Sequence, residues 1–204
     1  MTGVRPDPTS ADPLAGLARR AAAGEPGAAR ALLGVVAPQV LRVVRQVLGR
    51  DHPDQEDLVQ EALLGALQAL RRFRGDCSTL HFVQRVGLLT ALNARRRFQL
   101  REQLAPRAVG ADPEVLPGRE ASPAEALDAT RRRALFTALL DELPPAQAEA
   151  LALHCVLGCT LAETAALAGV PLNTARGRIV AAKAALRERL TVDPMARELL
   201  RGAS

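Results

Sequence analysis

The stretch TLAETAALAGVPLNTARGRIV, residues 160–180, holds two short helical patterns on either side of one tight turn. Thr160 followed by Glu163 is a capping box, in which each side chain satisfies a backbone N–H of the other residue at a helix start. Gly169 ends that helix, since glycine adopts the left-handed cap without a Cβ penalty, and the next helix begins near Pro171. Leu161, Ala165 and Leu167 fall inward on the first helix, Val170 wedges into the turn, and Ala175 and Ile179 fall inward on the second. Ala182 and Leu186 continue that stripe at steps of three and four. This is the apolar skeleton of a helix-turn-helix. Asn173, Thr174, Arg176, Gly177, Arg178 and Lys183 are left facing outward.

A helix so mounted lies in the DNA major groove with its N-terminal side chains at base edges. There Asn173 can pair with adenine and Arg176 or Arg178 with guanine, while Thr174 and Lys183 suit phosphates. An ordinary αα-hairpin with a solvated basic face shares the same skeleton, so the pattern alone leaves both readings open. Gly177 favours neither: it costs about 1 kcal/mol relative to Ala in mid-helix and fits either a close backbone approach or drift.

Outward from this motif, the composition describes a folded helical chain. Of 204 residues, 48% are hydrophobic, enough for a core, and this content is mostly Ala, Leu and Val, with no Trp or Tyr and four Phe. Such cores are small helix-on-helix contacts, so the expected class is all-α. The formal net charge is +5, and every basic residue except Lys183 is Arg, whose planar fork holds phosphate bidentately. A polyanion partner fits this balance, although Arg and Ala abundance also follows from GC-rich coding. The N-terminus MTGVRPDPTSADP lacks an apolar core segment and the longest apolar run, ALLGVVA, is too short for a bilayer. A cytoplasmic protein without membrane insertion is expected. Three cysteines, Cys77, Cys155 and Cys159, make no closed disulfide framework, in keeping with a reducing compartment.

The helical pattern divides into two domains. Residues 12–99 form the first, with four helices broken at GEPG, GRDHPD and FRGDCST. Residues 100–123 are the expected flexible linker, where four prolines and two glycines from Leu104 onward remove any sustained period. Residues 124–190 form the second domain, three or four helices punctuated by ELPPAQ, LGCT and AGVP, and 191–204 a C-terminal tail. In the first domain, Asp54, Glu56, Asp57 and Glu61 open one helix and Arg71, Arg72 and Arg74 close it. Both sets complement the helix dipole, which is reason enough for the arrangement. Asp57, Gln60, Glu61 and Leu64 also share one stripe, a surface suited to an arginine-bearing helical partner.

The segment DQEDLVQEALLGALQALRRFRGDCSTLHFVQRV resembles region 2 of the extracytoplasmic-function (ECF) type of bacterial RNA polymerase sigma factor, in which an acidic DAEDLVQE helix precedes FRGD and an aromatic-bearing helix. LDELPPAQAEALALHCVLGCTLAETAALAGVPLNTARGRIVAAKAALRERL is similar to region 4 of the same family, and AAAGEPGAARALLGVVAPQVLRVVRQVLG to its opening helices. The resemblance implies a fold of two helical domains and a non-enzymatic role in transcription initiation without a cofactor. It implies that Asp54, Asp57, Gln60 and Glu61 dock on the β′ clamp helices of core polymerase, with the β flap a second contact. Arg74, Gly75, Asp76, Cys77, Ser78 and Thr79 would form the loop that captures a base flipped from the −10 element. Phe82 stands where the family usually has Trp, and Arg85, Arg95, Arg96 and Arg97 would follow −10 phosphates. Asn173, Thr174, Arg176, Arg178 and Lys183 would read the −35 element of promoter DNA. An anti-sigma factor is a further partner by family habit.

The family's WLYRIARN reads FVQRVGLL here, so Gln84, Leu88 and Leu89 replace Tyr, Arg and Asn. Base–aromatic stacking is worth roughly 1–3 kcal/mol per base, so this loss bears on promoter melting. A degenerate sigma-like regulator that binds polymerase or DNA without melting promoters is therefore the first alternative, and an unrelated helical interaction module the second. Phe73 and Phe98, isolated in Ala/Leu helices, are expected in the core. His154, Cys155 and Cys159, with Cys77 and His81, lack paired CxxC spacing, so apolar burial of the cysteines is expected rather than zinc. A loop thiol at Cys77 after an Arg-rich turn raises redox sensing as a further hypothesis. No phosphate-binding glycine loop, nucleophile triad or carboxylate pocket stands out.

Overall fold

The computed structural model describes residues 12–50, 52–104 and 136–192, and among these every regular element is helical. The elements are α1 (Ala15–Ala22), α2 (Pro26–Leu48), α3 (Gln55–Leu70) and α4 (Thr79–Leu104), then a helical segment at 136–142, α5 (Pro145–Cys155), α6 (Leu161–Ala168) and α7 (Leu172–Val192). The expected breaks at GEPG, GRDHPD and FRGDCST separate α1 to α4, and ELPPAQ, LGCT and AGVP separate the later helices. α4 runs to Leu104, so the first five residues of the expected linker are helical. The rest of that linker, the start of the second domain before 136 and the tail beyond 192 lie outside the described residues.

α2 is the hub of the first cluster. Pro26 occupies its first turn, and Leu32, Val36, Val40, Val43, Val44 and Val47 are all buried. Length and composition alone would let α2 cross a membrane, but these apolar side chains face the core of a bundle. α3 presents Leu58, Ala62, Ala66 and Leu70 inward at steps of four, so its opposite face is free for Asp57, Gln60 and Glu61. α4 contributes Val83, Leu88, Ala91 and Leu92. It reaches α2 closely because residue 87 is glycine: a Cβ there would lie 3.0 Å from Val40 Cγ1. Each buried Leu or Val contributes roughly 1.5–3 kcal/mol relative to exposure, so this face dominates the local energetics.

The start of α4 is held from the other end of the domain. The Asp12 carboxylate accepts from the Thr79 backbone N–H at 2.7 Å, from the Thr79 hydroxyl at 2.5 Å and from the Leu14 N–H at 3.1 Å. Partial burial pushes the Asp12 carboxyl up, but the Thr79 and Leu14 bonds outweigh it and hold the group below its ordinary value. Asp12 thus supplies the capping that Thr79 lacks locally.

The second cluster packs Leu139, Leu140, Leu143, Ala148, Leu151, Ala165, Leu167, Ala175, Ile179 and Ala182. Its capping box forms as expected. Thr160 Oγ1 accepts from the Glu163 N–H at 3.2 Å, and Glu163 Oε2 accepts from the Thr160 N–H at 2.8 Å and its hydroxyl at 2.9 Å. Gly169 closes α6 in the left-handed region at φ 64°, and the Val170 N–H returns to the Ala165 carbonyl at 3.0 Å. Thr164, at the centre of α6, is fully buried with its hydroxyl donated to the Thr160 carbonyl at 2.9 Å.

Candidate nucleic-acid interface

The helix-turn-helix delivers its outward set as the period requires. Ala175, Ile179 and Ala182 are buried, and their burial turns Asn173, Thr174 and Arg176 to solvent, with Arg178 and Lys183 partly covered. Gly177 is also exposed, and a Cβ there would meet nothing within 4 Å, so no intramolecular crowding among the described residues requires glycine. Two apolar side chains share this surface, Leu172 and Val180, 50% and 59% exposed. Both occupy outward positions of the helical period, where the sequence pattern gives an apolar side chain no mark that sets it apart from the core stripe. Apolar groups beside Asn and Arg suit thymine methyls in a major groove.

In the first domain, Asp54, Asp57, Gln60, Glu61 and Leu64 lie together on one exposed side of α3, with Leu64 60% exposed. Carboxylates around an apolar residue make a surface for a basic amphipathic helix. The loop between α3 and α4 exposes Arg74, Gly75 and Asp76. Gly75 takes φ 80°, a conformation that spares only glycine strain. Ser78 accepts from the His81 N–H at 3.2 Å and remains partly exposed. Thr79 departs from expectation: it is fully buried and its hydroxyl serves Asp12, so it does not present a polar group to the loop surface.

Phe82 stacks on Phe73 with ring centroids 4.6 Å apart. Beside the pair opens a cavity of about 560 Å³ lined by Gly65, Gln68, Ala69, Arg71, Arg72 and Phe82. An aromatic edge, two guanidinium groups and an amide are chemistry for an unstacked base and its phosphate. Arg71 and Arg72 were legible only as dipole complements of α3, because the proximity of α4 to them is a tertiary fact. Arg96 is partly covered and Arg97 exposed. Arg85 is engaged within the protein: its Nε and NH2 donate to Glu149 Oε1 at 3.1 and 2.8 Å.

Several expectations need correction. Phe98 is 49% exposed rather than in the core, and its ring contact is the edge of His52 at a centroid distance of 6.1 Å. Cys155 is exposed, whereas Cys159 is buried as expected of an apolar cysteine. Cys77 is partly buried against the core rather than an open loop thiol. Burial, with Glu163 and Asp76 adding negative potential, pushes its pKa to about 11, so the thiol stays protonated and is a poor redox sensor. Cys159 is pushed to about 12, first by burial and then by Glu163 and Cys77. His154 Nδ1 lies 2.9 Å from the Cys159 carbonyl, and no group of three metal-ligating side chains gathers among the described residues. Of the residues replaced relative to the family, Leu88 is fully buried, so it serves packing rather than a strand-facing surface, while Gln84 and Leu89 are partly covered.

Residues 32–101 match the Sigma-70 region 2 family and residues 133–186 the Sigma-70, region 4 family, together more than half of the chain. A curated relative, the ECF RNA polymerase sigma factor SigE of Mycolicibacterium smegmatis, is 29% identical over 156 residues, covering 76% of this chain and 58% of its own length. The chain thus spans little more than half of that relative. CnrH, solved in complex with the cytosolic domain of CnrY, shares the fold at a TM-score of 0.56 and 24% identity, over 87% of this chain and 96% of that one. The sigma factor RpoE in complex with the anti-sigma factor NepR, from Bartonella quintana, gives a TM-score of 0.50 and 24% identity, over 80% and 97%.

Proposed function

We infer, from the premise that this chain belongs to the ECF-type RNA polymerase sigma factors, that it is a cytoplasmic initiation subunit that joins core polymerase to promoter DNA. One observation carries the reading: a capped helix-turn-helix with Asn173, Thr174 and Arg176 facing out occurs in one chain with an exposed Asp54, Asp57, Gln60 and Glu61 ridge. The ridge suits the basic clamp helices of β′, and the second domain the β flap. Arg74, Asp76, Ser78, Phe82 and Arg96, joined by Arg71 and Arg72 at the neighbouring cavity, would hold the −10 strand; Asn173, Thr174, Arg176, Arg178 and Lys183 would hold the −35 duplex. Thr79 would act as a buried anchor of the loop, through Asp12, rather than as a base contact.

Family membership removes the unrelated interaction module from consideration. A degenerate regulator that binds polymerase or DNA without melting promoters is the second reading, favoured by Gln84 and Leu89, which are only partly covered on α4 and offer no aromatic face to a base. An anti-sigma partner is proposed by analogy with RpoE, solved bound to NepR. Run-off transcription with purified bacterial core polymerase tests the proposal: duplexes enriched from a random pool by the reconstituted holoenzyme should support initiation. Binding to core and DNA without transcripts would establish the regulator instead.

A further inference from the structure

α2 carries positive charge with no counter-charge of its own: its 23 residues include Arg30, Arg42 and Arg45 and neither Asp nor Glu. Val36, Val40, Val43, Val44 and Val47 turn into the bundle, and their burial leaves Pro38, Arg42, Arg45 and Gln46 exposed on the outer face. Gly49 ends the helix at φ 93°, and Arg50, just beyond it, is exposed beside the same face. Between these side chains runs an open groove of about 550 Å³ lined by Pro38, Leu41, Arg42, Arg45, Gln46 and Arg50. Three guanidinium groups and an amide thus gather with no acid in the lining. Arg45 Nε donates to the neutral Gln55 Oε1 at 3.1 Å, and no carboxylate among the described residues pairs with Arg42, Arg45 or Arg50. The helix dipole favours cations at the end of α2 and accounts for Arg45 and Arg50, but it decays within the last turn and leaves Arg42 without a reason. Like charges around one groove repel, and an anion held among them removes that cost.

The lining selects the anion. Guanidinium forks match phosphate oxygens bidentately. No aromatic ring borders the groove, so it lacks the platform on which single strands lay their bases. Pro38 and Leu41 alone offer too little apolar surface to seat an amphipathic helix. The groove also opens away from Phe82 and its cavity, because Val40, on the opposite side of α2, is the residue that meets Gly87 of α4. We propose that this groove is a further nucleic-acid contact, in which Arg42, Arg45 and Arg50 take backbone phosphates of double-stranded DNA without reading its sequence. It goes beyond the −10 and −35 assignments and does not depend on them, since a duplex held there is a different stretch from the strand at Phe82. Each guanidinium that takes a phosphate releases counterions from the duplex, so the contact adds affinity that salt weakens.

The test uses the full chain with Arg42→Gln and Arg50→Gln together, which leaves Arg45 on Gln55. A control of equal charge, Arg19→Gln with Arg30→Gln, alters exposed arginines outside the groove. Anisotropy of a dye-labelled random-sequence duplex of about 20 base pairs, and of one of its strands alone, is followed across a salt series. The groove variant should bind the duplex severalfold more weakly than the control, with a salt slope shallower by about 1.8 for two lost phosphate contacts. Arg42→Lys with Arg50→Lys, which keeps both charges, should recover most of the slope. Wild type that binds no duplex at low salt, or a groove variant that tracks the control in affinity and slope, overturns the contact; a loss confined to the single strand overturns its assignment to duplex. Run-off transcription separates this from the proposed function: a chain that initiates while the groove variant matches the control refutes the groove alone, whereas a chain that never initiates but loses duplex affinity through the groove refutes the sigma reading alone.

Discussion

Removing the hydroxyl at the start of α6, Thr160→Ala, isolates the contribution of one side chain to the geometry of the helix-turn-helix. The hydroxyl accepts from the Glu163 N–H at 3.2 Å and donates to the Glu163 carboxylate at 2.9 Å. Thr160 is exposed, so water replaces part of what is lost, and the middle of the usual capping range applies: about 1 kcal/mol. α6 has eight residues, few enough that the loss falls on its whole first turn. Thr164 still donates to the Thr160 carbonyl, so the turn weakens without dissolving. Thr160→Ser, which keeps the oxygen, should stay within a few tenths of a kcal/mol, and so should Thr160→Gly. Guanidinium unfolding followed by far-ultraviolet circular dichroism gives the comparison, read as a shift in midpoint at unchanged slope. If the melt proceeds as one transition, the thermal midpoint falls by roughly 2–4 °C. An alanine variant as stable as wild type, or a serine variant as damaged as alanine, would refute the assignment of the cap.

Gly177→Ala should stabilise the chain by up to about 1 kcal/mol in the same unfolding assay, because the site is helical and open; a loss of stability contradicts the packing described. Leu88→Arg, which restores the side chain common in the family, should destabilise by about 3 kcal/mol or more, since it places an unpaired charge where exposure is nil. A stable, more active variant would show that the position faces the strand. The lowered Glu163 carboxyl sets a pH dependence: partial burial raises it, but the Thr160 bonds and His81 outweigh that. A depressed native value stabilises above the unfolded value near 4.5 and loses that contribution as pH falls through the native one. The stability gap between wild type and Glu163→Gln should therefore be full at pH 6 and shrink below about pH 4.5, and a gap that widens on acidification contradicts the pairing.

What could be read from the sequence was whatever a few adjacent residues decide. The Thr160–Glu163 box, the Gly169 stop and the Ala175, Ile179, Ala182 stripe are contacts within one or two turns, and each stands where the period puts it. The Asp57, Gln60, Glu61 and Leu64 ridge was legible for the same reason. Asp12 reaching Thr79, 67 residues away, left no local signal, and neither did the pairing of Arg85 with Glu149 across 64. Arg85 looked like any other arginine on a basic helix, and only tertiary packing decides whether its fork meets a phosphate or a carboxylate. Phe98 failed from a different cause: an aromatic in an apolar helix belongs to the core only where its own face is covered, and Phe98 lies on a face of α4 that stays 49% exposed beside His52.

The account is tested most directly by the acidic ridge of α3, because every later step requires the chain to be held by polymerase. Asp57→Arg combined with Glu61→Arg changes two exposed side chains on the face opposite Leu58, Ala62 and Ala66, so the melt should move by no more than about 1 kcal/mol through the helix dipole. Co-sedimentation of the purified chain with core RNA polymerase should be abolished by the double reversal and unaffected by Arg176→Ala. Retention of the reversed variant on core polymerase at wild-type affinity would contradict the account.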